Sequence, residues 1–232
     1  MFSGNHTWAL MQKAYICTQM LASNMIKNIA FDFGGVLFDL SWEGAVASFK
    51  QIGLADAEVR LDRFHQRGVF EELESGRISP DEFRAALQEM CNRPLTHEQV
   101  LSAWLGYVGA PVDERKLQRL DELRARGYRT FLLSNTNPFV QSWAESAAFS
   151  PAGRPLSSYL EKCYTSYEVG MMKPDLGIFQ FMLDDAGILP AETLFLDDSP
   201  ANIAAAAQLG IQTMLVEKNA DWRDAVEQRL CD

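Results

Sequence analysis

Five short apolar runs, each followed by a stretch of helical periodicity, limit the folds open to this chain more than any other feature of its sequence. They are NIAFDF (28–33), YRTFLLS (128–134), KCYTS (162–166), TLFLD (193–197) and QTMLVE (212–217). Strand-sized runs alternating with helices are the pattern of a parallel sheet wrapped by helices. The expected fold class is therefore α/β with a Rossmann-like parallel core. Three of the runs end on polar residues: Asp32 and Gly34 after the first, Ser134 and Asn135 after the second, and Asp197 and Asp198 at the end of the fourth. In such a sheet the carboxyl ends of neighbouring strands line one crevice, where ligands bind. These residues are expected to meet in space.

Between residues 40 and 109 the pattern becomes wholly helical. VASFKQIG, RLDRFHQRGVFEEL, SPDEFRAALQEMC and THEQVLSAWLGYV carry apolar residues at three- and four-residue spacing. Ser79 with Glu82, and Thr96 with Gln99, have the spacing of capping boxes. The expected layout is an all-α, four-helix cap over 40–109 inserted into a core formed by 25–39 and 110–232. Residues 1–24 are read as a loosely attached extension because the first clear structural period opens at Met25, and Gln12 and Lys13 break the apolar run that a signal peptide needs.

The 31 acidic and 21 basic residues leave a net charge of -10, which repels nucleic acid and anionic lipid. A local cationic pocket for one small phosphate remains compatible with that charge. Cys17, Cys91, Cys163 and Cys231 form no CxxC pair, so neither a zinc site nor a disulfide scaffold is indicated, and a reducing cytoplasm fits best. No stretch approaches the ~20 apolar residues of a membrane span. The expected partner is a small phosphorylated metabolite rather than nucleic acid or membrane, and the expected state is a monomer or a weak dimer.

Each strand-end motif has both an ordinary and a chemical reading. Asp32 can cap a turn or act as a nucleophile, with Gly34 and Gly35 permitting close backbone approach. Ser134 can form a turn, or hold phosphate oxygens through its hydroxyl and the following N–H groups. Lys173, in GMMKPD, can be solvated or can serve as a point charge for phosphate. Asp197 and Asp198 are harder to explain as caps, since a helix starting near Pro200 needs one acid and not two. Two adjacent carboxylates near Asp32 repel unless a cation sits among them, and hard oxygen ligands select Mg²⁺.

Taken in order, Asp, Ser, Lys-Pro and Asp-Asp with a helical insert resemble the haloacid dehalogenase superfamily. ESGRISPDEF, LLSNTN, VGMMKPDLGIFQ and FLDDSPANIAAAAQLGI are most similar to its sugar-phosphatase subgroup, which includes the bacterial α-glucose-1-phosphatases. The resemblance implies that Asp32 is the nucleophile and that Ser134 and Asn135 bind phosphate. It further implies that Lys173 orients and neutralises, and that Asp32, the Gly34 carbonyl and Asp198 hold Mg²⁺ with Asp197 and Asn202 beside them.

One position departs from the superfamily pattern. The first motif usually reads DxD, its second Asp protonating the leaving group, and this chain has Gly34 there. Such assistance is typically worth ~10²–10⁴ in rate. The resembled subgroup carries the same glycine, so the expectation is a working phosphomonoesterase that favours leaving groups needing little protonation, such as sugar 1-phosphates. The alternatives are a 2-haloacid dehalogenase and a catalytically silent phosphate-ligand or partner-binding module. Trp42, Phe70, Glu71 and Trp104 are candidate cap contacts.

Overall fold

A computed structural model describes residues 25–61 and 66–231. The extension expected over 1–24 lies outside the described residues. The strands β1 (Asn28–Phe31), β2 (Arg129–Ser134), β3 (Lys162–Thr165), β4 (Thr193–Asp197) and β5 (Gln212–Leu215) coincide with the five apolar runs. They form one parallel sheet in the order β3-β2-β1-β4-β5. The chain leaves β1 toward β2 and β3 and later returns to its other side as β4 and β5. The order thus reverses at β1 and β4, the place where a crevice opens in sheets of this kind. Register pairs Phe31 with Leu132 and with Leu196, so the next residue, Asp32, stands level with the ends of β2 and β4.

Helices α1 (Trp42–Gln51), α2 (Ala57–Arg60), α3 (Val69–Glu74), α4 (Pro80–Cys91) and α5 (His97–Leu105) lie between β1 and β2. Around the sheet follow α6 (Glu114–Ala125), α7 (Pro138–Ala144), α8 (Ser166–Val169), α9 (Leu176–Ala186), α10 (Pro200–Gln208) and α11 (Arg223–Cys231). Both expected capping boxes form, Ser79 with Glu82 and Thr96 with Gln99. The helix expected over 60–73 does not run through: Leu61 is extended, and Gly68 takes a φ of +59°, which ends any helical path. Helix resumes only at Val69, leaving Gln66 and Arg67 as loop.

The insert has an aromatic interior. Phe49, Phe70, Phe83 and Trp104 pack largely edge to face with ring centroids 5.1–5.7 Å apart. This cluster is continuous with the apolar layer under one face of the sheet, and Ala30, Phe131, Leu133 and Phe195 pack against α9 and α10 on the other. A short antiparallel neck joins insert to sheet: Ser41 donates to the Tyr107 carbonyl and Gly109 to that of Asp39, both at 2.7 Å. No described helix is long and apolar enough to cross a membrane.

Candidate active site

Lys173 organises the carboxyl edge of the sheet. Its side chain is 1% exposed, and its three N–H groups reach the Leu133 carbonyl at 2.8 Å, Asp32 Oδ1 at 2.7 Å and Asp197 Oδ2 at 2.7 Å. An ammonium has three donors, so its capacity is filled. Burial works against its charge, but Asp197 and Asp32 outweigh that and hold the ammonium above its ordinary range. The loop carrying Lys173 is latched to β2 by Asn135, whose amide donates to the Lys173 carbonyl and accepts from the Lys173 N–H, each at 2.8 Å. The Asn135 side chain is thereby occupied, and a phosphate contact from this residue falls to its backbone N–H. Ser134, at the end of β2, is buried beside it.

The two adjacent acids divide the work. Asp197 is fully buried and accepts from Lys173, from Asn202 Nδ2 on both of its carboxylate oxygens at 3.0 Å, and from the Ser199 N–H at 2.7 Å. Ser199 takes the cap position of α10 without a side-chain cap bond. Asp198 turns toward the cavity, and burial followed by repulsion from Asp197 raises its carboxyl above the ordinary range. Gly35 is the glycine this turn requires: its φ is +81°, and a Cβ there would lie 2.7 Å from Asp198 Oδ2.

Asp32, Asp197 and Asp198 each place a carboxylate oxygen within 4.8 Å of the others. Burial pushes Asp32 up to about 7, with Lys173 opposing and Asp197 and Asp198 adding repulsion. Lys173 pairs with Asp32 and Asp197, and Asp198 feels Lys218 before Lys173, so three carboxylates share two ammonium groups and the pocket holds an excess of hard oxygen donors. That donor set fits a divalent hard cation. Asp32, Asp198 and the Gly34 carbonyl are the groups placed to hold one, with Asp197 committed mainly to Lys173.

Above this edge lies a cavity of about 710 Å³ whose far wall is the insert. Trp42, Glu71 and Trp104 line it, as expected; Phe70 does not, being part of the aromatic interior. Asn202, expected beside the cation site, lines it too, and so do Gln66, Glu74 and Lys218, which the sequence did not single out. Buried Gln66 Oε1 and Trp104 Nε1 have no hydrogen-bond partner among the described residues. Leu40 fills the place of the carboxyl that Gly34 lacks, since a Cβ at Gly34 would run into Leu40 Cδ1. Asp39 does not line the cavity and lies 3.9 Å from Lys116.

A parallel sheet whose strand ends gather Asp, Ser, Lys and two further Asp around one crevice defines a class. The chain belongs to the haloacid dehalogenase-like hydrolase family, which it matches over residues 26–210. It is 51% identical over 199 residues to the D-ribitol-5-phosphate phosphatase of Bacteroides thetaiotaomicron, covering 86% of this chain and 96% of that one. Among solved structures, a HAD-like family hydrolase from Porphyromonas gingivalis superposes with a TM-score of 0.85 at 44% identity, over 90% of this chain and 99% of that one. A HAD family enzyme from B. thetaiotaomicron, in complex with magnesium and inorganic phosphate, superposes with a TM-score of 0.78 at 36% identity, over 86% and 98%.

Proposed function

We propose that the protein is a Mg²⁺-dependent phosphomonoesterase that acts through Asp32 on a small polyol phosphate. The observation that carries this reading is the group Asp32, Asp197 and Asp198 gathered at the buried ammonium of Lys173. Displacing halide from carbon needs no divalent cation, so a dehalogenase has no use for that excess of carboxylates. Asp32 attacks phosphorus in line and forms an aspartyl-phosphate, which water then hydrolyses. Lys173, the Ser134 hydroxyl and the Asn135 N–H offset phosphoryl charge, where most of the catalysis of such transfers lies. Asp32, Asp198 and the Gly34 carbonyl would hold Mg²⁺, which would supply further neutralisation of the phosphoryl charge. Helices of residues 40–109 act as the cap that excludes bulk water.

The substrate class rests on two supports. The relative of 51% identity is named for D-ribitol 5-phosphate, the ester of a polyhydroxylated primary alcohol. The cap wall offers Gln66 Oε1 and Trp104 Nε1 as open hydrogen-bonding groups, which suit hydroxyls better than an apolar alcohol. A second reading, sugar 1-phosphates, is favoured by Gly34, because an anomeric oxygen leaves more readily without a proton donor. The test is phosphate release from D-ribitol 5-phosphate, glucose 1-phosphate and glucose 6-phosphate, with Mg²⁺ and with excess chelator. The expected result is highest kcat/KM on the ribitol ester and none in chelator. Preference for the 1-phosphate supports the second reading, and turnover that survives chelation overturns the proposal.

A further inference from the structure

Five carboxyl groups among the described residues line the cavity: Asp32, Glu71, Glu74, Asp175 and Asp198. Asp32 and Asp198 belong to the nucleophile and cation site. Glu71 is paired with Arg77 at 2.9 Å, and Asp175 accepts from the Gly177 N–H at the start of α9. Glu74 alone of the five is buried with no ion-pair partner among the described residues, and it reaches the cavity from the last residue of α3.

The chain fixes that residue in place. Just beyond it, Gly76 takes a φ of +71° and lies so close to the Tyr167 carbonyl that a Cβ would collide with it. Ser166 Oγ donates to the Glu74 carbonyl at 2.6 Å and also accepts from the Thr136 N–H at 3.0 Å, tying α3 to the loop that carries Ser134 and Asn135. The Glu74 carboxyl itself meets the Asn137 amide at the start of α7. A cap acid is thus tethered to the phosphate-binding loop.

We propose that Glu74 is the acid that protonates the departing alcohol, the role that Gly34 leaves open; this rests on the phosphomonoesterase reading above. As Asp32 Oδ bonds to phosphorus, the bond from phosphorus to the alcohol oxygen breaks. That oxygen keeps the bonding electrons and takes the proton from Glu74 Oε. A water then occupies the vacated side of phosphorus, gives a proton back to Glu74 and attacks, releasing phosphate and restoring the Asp32 carboxylate and the Glu74 acid. The same position serves both steps because departure and attack share one axis.

Burial raises the Glu74 carboxyl to about 8, with the Asn137 hydrogen bond opposing and repulsion from Glu71 adding to it, so the proton is present at neutral pH. Among the described residues, α8 carries Tyr167 and Glu168, and Asp32, Arg67, Tyr107, Lys173, Asp175, Asp198 and Lys218 share the cavity lining with Glu74. On α4, Glu82 is held by Ser79 and Arg84 by Asp81, while Glu89 is exposed. α7 carries no charged residue.

The test compares Glu74→Gln with wild type, in Mg²⁺, on D-ribitol 5-phosphate and on p-nitrophenyl phosphate, whose leaving group needs no proton. The expected result is a fall of about 10²- to 10⁴-fold in kcat on the ribitol ester with KM little changed. On p-nitrophenyl phosphate the first-turnover release of nitrophenol, which needs no proton, should change under about threefold, while steady-state turnover falls because water attack on the aspartyl-phosphate still uses Glu74. Equal losses of the first-turnover release of alcohol from both substrates, or no loss on either, overturn the assignment. If the variant does not fold, the wild-type pH profiles decide: first-turnover release of ribitol should decline above about pH 8, where first-turnover release of nitrophenol does not, and identical profiles overturn the proposal. Wild type that hydrolyses neither ester sinks the phosphomonoesterase reading itself, and this assignment with it.

Discussion

The two walls of the cavity are built on different terms. Along the sheet edge, Lys173 and Asp197 have every hydrogen-bonding position filled by protein. Across from them, the insert leaves Gln66 Oε1 and Trp104 Nε1 buried and without a hydrogen-bond partner among the described residues. Groups that must face developing phosphoryl charge work best when fixed beforehand, since their reorganisation has already been met in folding. A buried donor left open costs about 1–3 kcal/mol until a ligand completes it. The contrast assigns chemistry to the sheet edge and recognition to the insert, and it can be tested by perturbing each wall in turn.

The largest effect is expected at Lys173. Lys173→Met leaves Asp197 fully buried beside Asp32 with no cation, and breaking a buried pair in this way costs roughly 3–5 kcal/mol. Urea unfolding should show that loss, together with loss of turnover on every ester. If stability is unchanged, the sheet edge is not a pre-paired unit.

An intermediate effect is expected at Glu74, and its sign is set by pH. The folded-state carboxyl titrates near 8, above its ordinary 4.5. Its contribution to stability is therefore full below about 4.5 and is lost as pH rises through about 8, because the unfolded chain ionises first. Glu74→Gln removes that drift, so the variant should gain on wild type by on the order of 3 kcal/mol between pH 5 and 9. Parallel stability curves for the two proteins would mean that Glu74 is not held as the acid.

The smallest effect is expected at the recognition wall. Trp104→Phe deletes one open donor and should raise KM for D-ribitol 5-phosphate about five- to tenfold, the worth of one hydrogen bond. KM for p-nitrophenyl phosphate should stay within about twofold. A uniform rise across both substrates would mean that Trp104 only shapes the cavity.

The sheet edge was legible in the sequence and much of the insert was not, for physical reasons. An apolar run that stops on Asp or Ser announces a buried strand with a polar end, and three such runs put Asp32 just past β1 and Ser134 and Asp197 at the ends of β2 and β4. What the run does not show is that Asp197 turns inward to Lys173 while its neighbour Asp198 faces the cavity. Glu74 closes an acid-rich helical run, VFEELE, in which nothing in the sequence marks it apart from Glu71 and Glu72. Only the tertiary contacts of Ser166 and Gly76 turn it inward. Gly68 likewise looks like a tolerable glycine within a helical period, yet its positive φ ends the helix and frees Gln66 for the cavity.

The most direct measurement follows the phosphoryl group. Rapid acid quench during turnover of D-ribitol 5-phosphate in Mg²⁺, followed by mass spectrometry of peptides, should find one phosphoryl group on the peptide containing Asp32. It should find none in excess chelator and none in Asp32→Asn, which should also be without turnover. Phosphate release by wild type with no phosphorylated peptide, together with undiminished hydrolysis by Asp32→Asn, would contradict the account.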